Sequence, residues 1–295
     1  MKFKFIENER ENFPVSILCR VLDVSRSGYY RWRTAEPSER EKLDTQLKPK
    51  VAAIYAESKE TYGSPRIHAE LVDLGFEVGR NRVARLMREM GLSAAPRRRF
   101  RKTTDSNHDL GFAPDLVARD FSPERPNQVW ASDITYIWTD EGWAYLAVVL
   151  DLYSRRVVGW SIAEHMESSL VLDALDRALA SREVGDGLIH HSDRGSQYAS
   201  RVFRERLAAQ GLAWSMGAKG CCYDNAVVES FFATLKKERI HRACYADLRA
   251  ARADINEYIN LFYNSRRRHS TLGYQSPILF EAAHQQRTSD AAQAA

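Results

Sequence analysis

Cysteine is scarce in this chain, and the few cysteines present are not arranged for metal or disulfide chemistry. The 295 residues contain four, Cys19, Cys221, Cys222 and Cys244, with one adjacent pair and no C-x-x-C motif. No pair of histidines stands at zinc-ligand spacing from them. The sequence therefore indicates neither a zinc site nor a disulfide framework, and a reducing cytosol is the simplest setting.

Long apolar runs and a strong charge of one sign are also absent. No stretch approaches the roughly 18 apolar residues of a membrane span, and the N-terminal sequence MKFKFIENERENF lacks the apolar centre of a signal peptide. Export and membrane insertion are therefore not expected, and we predict a cytoplasmic protein. The formal charge of +4 permits a nucleic-acid partner without requiring one. At 44% hydrophobic residues, the chain is long enough for about two domains.

Two short helical pairs are predicted in the first 92 residues. In the first pair, from Phe13 to Trp32, apolar residues at helical spacing break off at Asp23 and resume in an aromatic-rich helix. This pattern is typical of a small helix-turn-helix. It is equally typical of a helical hairpin that packs on another part of the protein.

The second pair runs from Arg66 to Leu74 and from Arg80 to Met90. The later helix has one apolar stripe, while arginines cover the rest of it with a single acid, Glu89. This composition favours a recognition helix that offers guanidinium groups to phosphates or guanine edges, over a merely solvated face. The arginines predicted to contact DNA are Arg80, Arg82, Arg85 and Arg88.

A basic segment follows the helical region. Residues 93–126 contain Arg97, Arg98 and Arg99, then small polar residues and Pro114. The segment is predicted to be an extended linker that tracks a phosphate backbone, so that each neutralised phosphate steepens the salt dependence of binding. A solvated hinge is the alternative.

Beyond residue 126 the pattern becomes that of an α/β domain. Strand-like and helical segments follow one another as strand, strand, strand, helix, strand, helix, strand, helix. This order predicts a ribonuclease-H-like mixed five-stranded sheet with flanking helices, preceded by the all-α helix-turn-helix region. The first and fourth strands are neighbours in that topology, which would bring Asp133 and Asp193 together.

A third acid, Glu229, is predicted on the helix that follows. If this helix begins near Asn225, Glu229 and Lys236 share one face, so that Glu229 looks at the two aspartates and Lys236 meets substrate phosphate. A surface stripe is the alternative. Three carboxylates in this arrangement can hold two divalent cations for phosphoryl transfer.

Other polar residues are weaker candidates. His190 and His191 could orient a metal-bound water or the substrate, but the sequence fits a purely structural role for them at least as well. Asp151 is expected only to close a turn. Gln197 or Tyr198 could contact nucleic acid. A second basic cluster, predicted to bind DNA, consists of Arg266, Arg267 and Arg268.

Several ordered motifs together carry a resemblance. The chain resembles the bacterial insertion-sequence transposases of the insertion-sequence-three family, in particular their large-frame protein, a relative of retroviral integrases. The similarity covers nearly all residues from Phe13 to Phe280. The motifs are W-x-x-D-I-T-Y-I (130–137), H-S-D-R-G-S-Q-Y (191–198), D-N-A-x-x-E-S-F-F (224–232), L-K-x-E (235–238) and Y-N-x-x-R-x-H-S-x-L-G-Y-x-S-P (263–277).

The resemblance implies both a site and a reaction. Asp133, Asp193 and Glu229 would be the DDE triad that binds two Mg²⁺ or Mn²⁺ ions. These ions would drive 3′-end cleavage of the element and attack of the freed 3′-hydroxyl on another phosphodiester. The expected partners are double-stranded DNA, further copies of this chain on that DNA, and the small upstream-frame protein in a frameshift fusion. A nucleoid-associated location is expected.

Two other functions remain open at this stage. The chain could be a DNA-binding regulator whose ribonuclease-H-like domain is only a scaffold, or a nuclease that hydrolyses without joining. The predicted domains are a helical DNA-binding region (1–92), the basic linker (93–126), the catalytic domain (127–283) and a disordered tail (284–295).

Overall fold

The computed structural model describes residues 1–94, 112–118, 122–217 and 225–293. The predicted DNA contacts Arg97, Arg98 and Arg99 lie outside these ranges. The N-terminal region is helical, as the sequence predicted. Its helices are α1 (Lys2–Glu9), α2 (Val15–Val21), α3 (Arg26–Thr34), α4 (Glu39–Glu57), α5 (Ser64–Asp73) and α6 (Arg80–Glu89).

A five-stranded mixed sheet forms the second region. Its strands are β1 (Val129–Thr139), β2 (Gly142–Asp151), β3 (Val157–Ala163), β4 (Ile189–Ser192) and β5 (Ala213–Met216). They lie in the order β3-β2-β1-β4-β5. β1 pairs with β2 antiparallel and with β4 parallel. The predicted ribonuclease-H-like order, with the first and fourth strands adjacent, is confirmed.

Helices cover both faces of the sheet. They are α7 (Ser168–Ser181), α8 (Ser196–Ala199), α9 (Arg201–Ala209), α10 (Ala226–Glu238), α11 (Leu248–Asn256) and α12 (Pro277–Gln293). Alternate residues of β1 enter different cores: Ala131 and Ile137 pack with α10 and α11, whereas Trp130 packs with α7 and α9. No helix among the described residues is both long and apolar enough to cross a lipid bilayer.

The helix α4 has no counterpart in the sequence prediction. It contains Pro49, which usually marks a helix boundary. A capping box between Ser38 and Glu41 fixes its start, and Leu47 and Val51 are fully buried against α5 and α6. Burial of this apolar face outweighs the hydrogen bond that proline cannot donate.

The C-terminal part also departs from the prediction. After α11 the chain continues as a π-helical segment, Glu257–Tyr263. The prediction of a disordered tail from residue 284 is wrong for the residues up to Gln293, because α12 extends that far. α12 is anchored by Glu281, which accepts hydrogen bonds from Ser154 and Arg182 at 2.6 Å each. Beyond this anchor the tail has no glycine or proline to end the helix.

Close packing of β3 on α7 gives a stability prediction. A Cβ at Gly159 would lie 2.2 Å from the Ala174 carbonyl oxygen and 2.7 Å from the Ala178 amide nitrogen. Gly159→Ala should therefore force β3 and α7 apart and lower the melting temperature. Gly185→Ala is the matched control, because a Cβ there meets nothing within 4 Å. Equal melting temperatures for the two variants would contradict this packing.

Candidate active site

The site begins where β1 and β4 part. Their parallel register runs from Val129 paired with Ile189 to Ser132 paired with Ser192. The next residues are Asp133, which lies within β1, and Asp193, which directly follows β4, so the two acids lie side by side. β1 continues beyond this point, paired with β2. Crevices at the carboxyl ends of parallel strands are frequent ligand sites.

A local turn fixes Asp193. Its Oδ1 accepts the Gly195 N–H at 3.0 Å. A Cβ on Gly195 would lie 3.0 Å from the same oxygen and 3.1 Å from Gln197 Oε1. Glycine at this position thus lets the backbone approach the carboxylate closely, and α8 begins at the next residue.

Asp133 faces the helix α10. It has the same strand parity as Ala131 and Ile137, which pack in the core that α10 helps to close. The start of α10 is tied to β1, because Asn225 Nδ2 donates to the Ser132 carbonyl at 3.1 Å. The motif that precedes the helix therefore positions Glu229 over the strand that carries Asp133.

The electrostatics couple these acids. The pKa of Asp133 is raised well above its ordinary value, first by burial, then by the charge of Asp193, and also by that of Glu229. The Ile134 N–H, at 2.8 Å from Asp133 Oδ1, and the charge of Lys236 act in the opposite direction. Among the described ranges, no three His, Cys, Asp or Glu side chains converge closely enough to hold a metal ion. The charges of Asp193 and Glu229 therefore act on Asp133, although the three side chains are not close enough together to enclose a metal ion.

The raised pKa of Asp133 predicts that this acid lowers the stability of the folded protein at neutral pH. A carboxyl group whose folded-state pKa is raised contributes stability below its unfolded pKa, and that contribution is lost as the pH rises through the folded value. Asp133→Asn should therefore raise the melting temperature at pH 7. The gain should disappear below the ordinary aspartate pKa of 3.8. Mg²⁺ should narrow the difference by stabilising the wild type.

Asp140→Asn, in the exposed turn after β1, is the control for this prediction and should leave the melting temperature nearly unchanged. A lower melting temperature for Asp133→Asn at pH 7 would contradict the raised pKa.

Lys236 lies beside the acids, as its helical spacing predicted. Its Nζ is 4.3 Å from the centre of the Tyr136 ring. Burial lowers the pKa of Lys236, while Tyr136 and Asp133 act to raise it. The ammonium group of Lys236 is therefore close enough to Asp133 for the two charges to interact.

Sequence reasoning missed an aromatic cluster on β1 and β2, next to Lys236. Tyr136, Trp138 and Trp143 are 41%, 57% and 48% exposed. The ring centres of Tyr136 and Trp138 lie 5.1 and 4.9 Å from that of Trp143, both edge to face. The alternation of Tyr136 and Trp138 along β1 was the available signal, because large aromatics two residues apart share one face of a strand.

Comparisons with known proteins agree with this geometry. The chain matches an integrase core domain model at residues 123–222 and a second one at 210–277, and an HTH-like domain model at 42–100. It is 44% identical to the transposase InsF of insertion sequence IS3A from Escherichia coli strain K12, over 95% of this chain and 98% of that protein. The chain belongs to the IS3-type insertion-sequence transposases.

Two further proteins are similar to the transposase. An uncharacterized 31 kDa protein of insertion element IS600 from Shigella sonnei is 46% identical over 91% of this chain and 99% of its own length. The HTLV-2 integrase catalytic core, solved with magnesium, covers 54% of this chain and 98% of its own at 17% identity, with a TM-score of 0.42.

The second basic cluster of the transposase is mostly structural. Arg267 donates to both carboxylate oxygens of Glu238 at 2.7 Å, and these side chains are only 5% and 4% exposed. Arg268 pairs with Glu70 and Asp73 at 2.6 Å each. The prediction that Arg267 and Arg268 contact DNA is therefore wrong, because both are committed to acids of the chain. Arg266 is exposed and stays a predicted DNA contact.

Two arginines of the predicted recognition helix α6 are also paired with an acid of the chain. Arg82 and Arg85 each donate to Asp44 of α4 at 2.7 Å. Although burial opposes ionisation, these hydrogen bonds lower the pKa of Asp44. The pairs hold α6 on α4, which sequence spacing could not show. The remaining arginines of this helix, Arg80 and Arg88, are exposed.

The weaker candidates near the site are internal to the fold. His190 is fully buried and shares a 2.8 Å hydrogen bond with Ser132, and burial lowers its pKa to about 3. His191 is 2.9 Å from the Ser215 hydroxyl, and Tyr198 is 2% exposed. Both histidines are therefore structural, and Tyr198 does not face nucleic acid. Asp151 closes its turn, as predicted, by accepting backbone N–H groups.

Proposed function

We propose that the transposase cleaves the 3′ ends of its element and joins them to other DNA at the site formed by Asp133, Asp193 and Glu229. The observation that carries the proposal is the pair of aspartates side by side on neighbouring parallel strands, Asp133 within β1 and Asp193 directly after β4, with the Glu229 charge acting on Asp133. A regulator would not need three acids concentrated in one crevice. Their mutual repulsion is unfavourable unless a cation compensates for it.

The donor set suits Mg²⁺ or Mn²⁺. Carboxylate oxygens are the ligands that these ions prefer. The pKa of Asp133 is raised first by burial and then by the negative charges of Asp193 and Glu229, which a bound cation would offset. Asp133, Asp193 and Glu229 would hold two ions. Bound there, the ions would activate the attacking oxygen and stabilise the leaving one.

The side chains of the chain itself position the DNA. Lys236, with its ammonium group next to Asp133, binds a phosphate beside the scissile bond. In cleavage, water attacks phosphorus and the element's 3′ oxygen leaves with the electron pair. In joining, that 3′-hydroxyl loses its proton and attacks another phosphodiester, whose own 3′ oxygen leaves. No covalent bond to the protein forms.

The remaining partners follow from this reaction. The transposase acts on double-stranded DNA, both the terminal repeats of the element and the target. Two ends must be brought together, so further copies of the chain assemble on the DNA. A fusion with the small upstream-frame protein would supply additional recognition of the ends. The protein acts in the bacterial cytoplasm, at the nucleoid.

A joining assay tests the proposal and its alternatives. The full chain is incubated with a labelled duplex that carries one element end, with MgCl₂ or with EDTA. We expect a joined product that depends on Mg²⁺. Cleavage without any joining would favour the nuclease, and binding without either reaction would favour the regulator.

A further inference from the structure

The first three helices of the chain form a unit with its own core. Ile6, Leu18, Cys19 and Tyr29 are buried together, in a cluster distinct from the other three. The turn at residues 22–25 joins α2 to α3, and within it Asp23 adopts a left-handed φ of 50°. Two helices joined by a turn of three or four residues are the helix-turn-helix motif.

The start of α3 is fixed by a side-chain cap. The Ser25 hydroxyl accepts the Gly28 N–H at 3.0 Å. A Cβ on Gly28 would lie 2.6 Å from that hydroxyl, so glycine preserves the cap. The second helix of the motif is therefore held in one register, with Tyr29 directed into the core.

The outer face of α3 carries groups suited to DNA. Ser27 and Arg31 lie opposite Tyr29 at helical spacing, and Tyr30 lies beside them, with its ring against that of Tyr29; all three are exposed. α3 contains three arginines and no acid. One of them, Arg33, pairs with Glu7 at 3.6 Å, whereas Arg26 and Arg31 have no ion-pair partner within the described part of the chain.

This face contrasts with that of α6. There, the guanidinium groups of Arg82 and Arg85 are engaged by Asp44, so they are less available to a ligand. α3 is shorter but presents Arg26 and Arg31 uncompensated, next to a helix N-terminus that itself favours phosphate.

We infer that α3 is a DNA-reading helix of this transposase, with Ser27, Tyr30 and Arg31 directed into the major groove. Arg31 donates to a guanine edge or a phosphate, and Arg26 at the helix start contacts the backbone. The inference rests on the proposed function, because it assumes that the transposase acts on duplex DNA. The positive, acid-free face complements DNA rather than a second copy of the chain.

The test compares Arg31→Gln and Arg31→Lys with wild type in the full-length chain. Binding is measured without divalent metal, on a duplex carrying one element end and on a scrambled duplex of equal length. We expect Arg31→Gln to weaken binding to the element end by about tenfold or more, with a smaller effect on the scrambled duplex. Arg31→Lys should retain part of the affinity but lose the preference.

Arg201→Gln is the charge-matched control, because Arg201 lies on α9 with a side chain that is 83% exposed. Equal affinity of wild type and Arg31→Gln for the element end, with folding confirmed by melting temperature, would overturn the inference. A change in oligomeric state without a change in DNA affinity would overturn it as well, in favour of a second copy as occupant. The joining assay on wild type reports separately on the proposed function.

Discussion

Replacing Asp133 or Asp193 by asparagine, or Glu229 by glutamine, should abolish both cleavage and joining. Each change removes one negative charge from a set of acids that act on one another, and a neutral amide is a much weaker ligand for Mg²⁺. We expect rates to fall by at least about 10²-fold, as when a preorganised electrostatic group is lost. Cleavage and joining should fall together, because both reactions use the same acids.

DNA binding separates this effect from misfolding. In EDTA the three variants should bind the element-end duplex at least as tightly as wild type, since the carboxylates repel phosphate rather than attract it. Asp140→Asn, in the exposed turn after β1, removes an acid of equal charge and should keep full activity. Full Mg²⁺-dependent joining by any one of the three variants would contradict the triad assignment.

Breaking the pair between Arg267 and Glu238 should cause the largest loss of stability. Glu238 ends α10, two and a half turns after Glu229. Although burial opposes its ionisation, the charge of Arg267 keeps the pKa of Glu238 lowered, and Tyr258 donates to it at 2.8 Å. Arg267→Met would leave a buried carboxylate without its main partner, which costs about 3–5 kcal/mol.

The same pair connects the helical region to the catalytic helix. Arg66 of α5 approaches Glu238 at 3.9 Å and donates to the Arg268 carbonyl at 2.8 Å. Arg267→Met should therefore lower the melting temperature and also slow joining, because the end of α10 loses its anchor. The measurement is thermal unfolding together with the joining rate at a temperature where the variant is folded.

Two controls make this prediction specific. Arg201→Ala breaks an exposed pair with Glu205 and should change the stability by less than about 1 kcal/mol. The double variant Arg267→Met, Glu238→Leu removes both charges and should recover part of the lost stability. A melting temperature of Arg267→Met equal to that of wild type would contradict the anchoring role.

The strands and the positions of the acids on them were predictable because both depend on local patterns. Alternating and helical apolar spacing identified the strands and α10, and the known adjacency of the first and fourth strands then placed Asp133 beside Asp193. The side-chain face of Glu229 followed from helical periodicity. Only the pairing of β1 with β4 is long-range, and the known strand order of the ribonuclease-H-like fold supplied it.

The arginines were harder because their partners are far away in sequence. Asp44 lies about 40 residues before Arg82 and Arg85, and Glu238 lies 29 residues before Arg267. A run of arginines looks the same in sequence whether it faces solvent or a buried acid. The helix α4 was missed for a similar reason, since only tertiary burial compensates for Pro49.

Manganese binding tests the central claim most directly. Free Mn²⁺ is counted by electron paramagnetic resonance in the presence of the full chain and an element-end duplex. Wild type should bind two ions per chain, and the triple variant Asp133→Asn, Asp193→Asn, Glu229→Gln should bind none at the same concentration. Equal binding by wild type and the triple variant would contradict a metal site built from these three carboxylates.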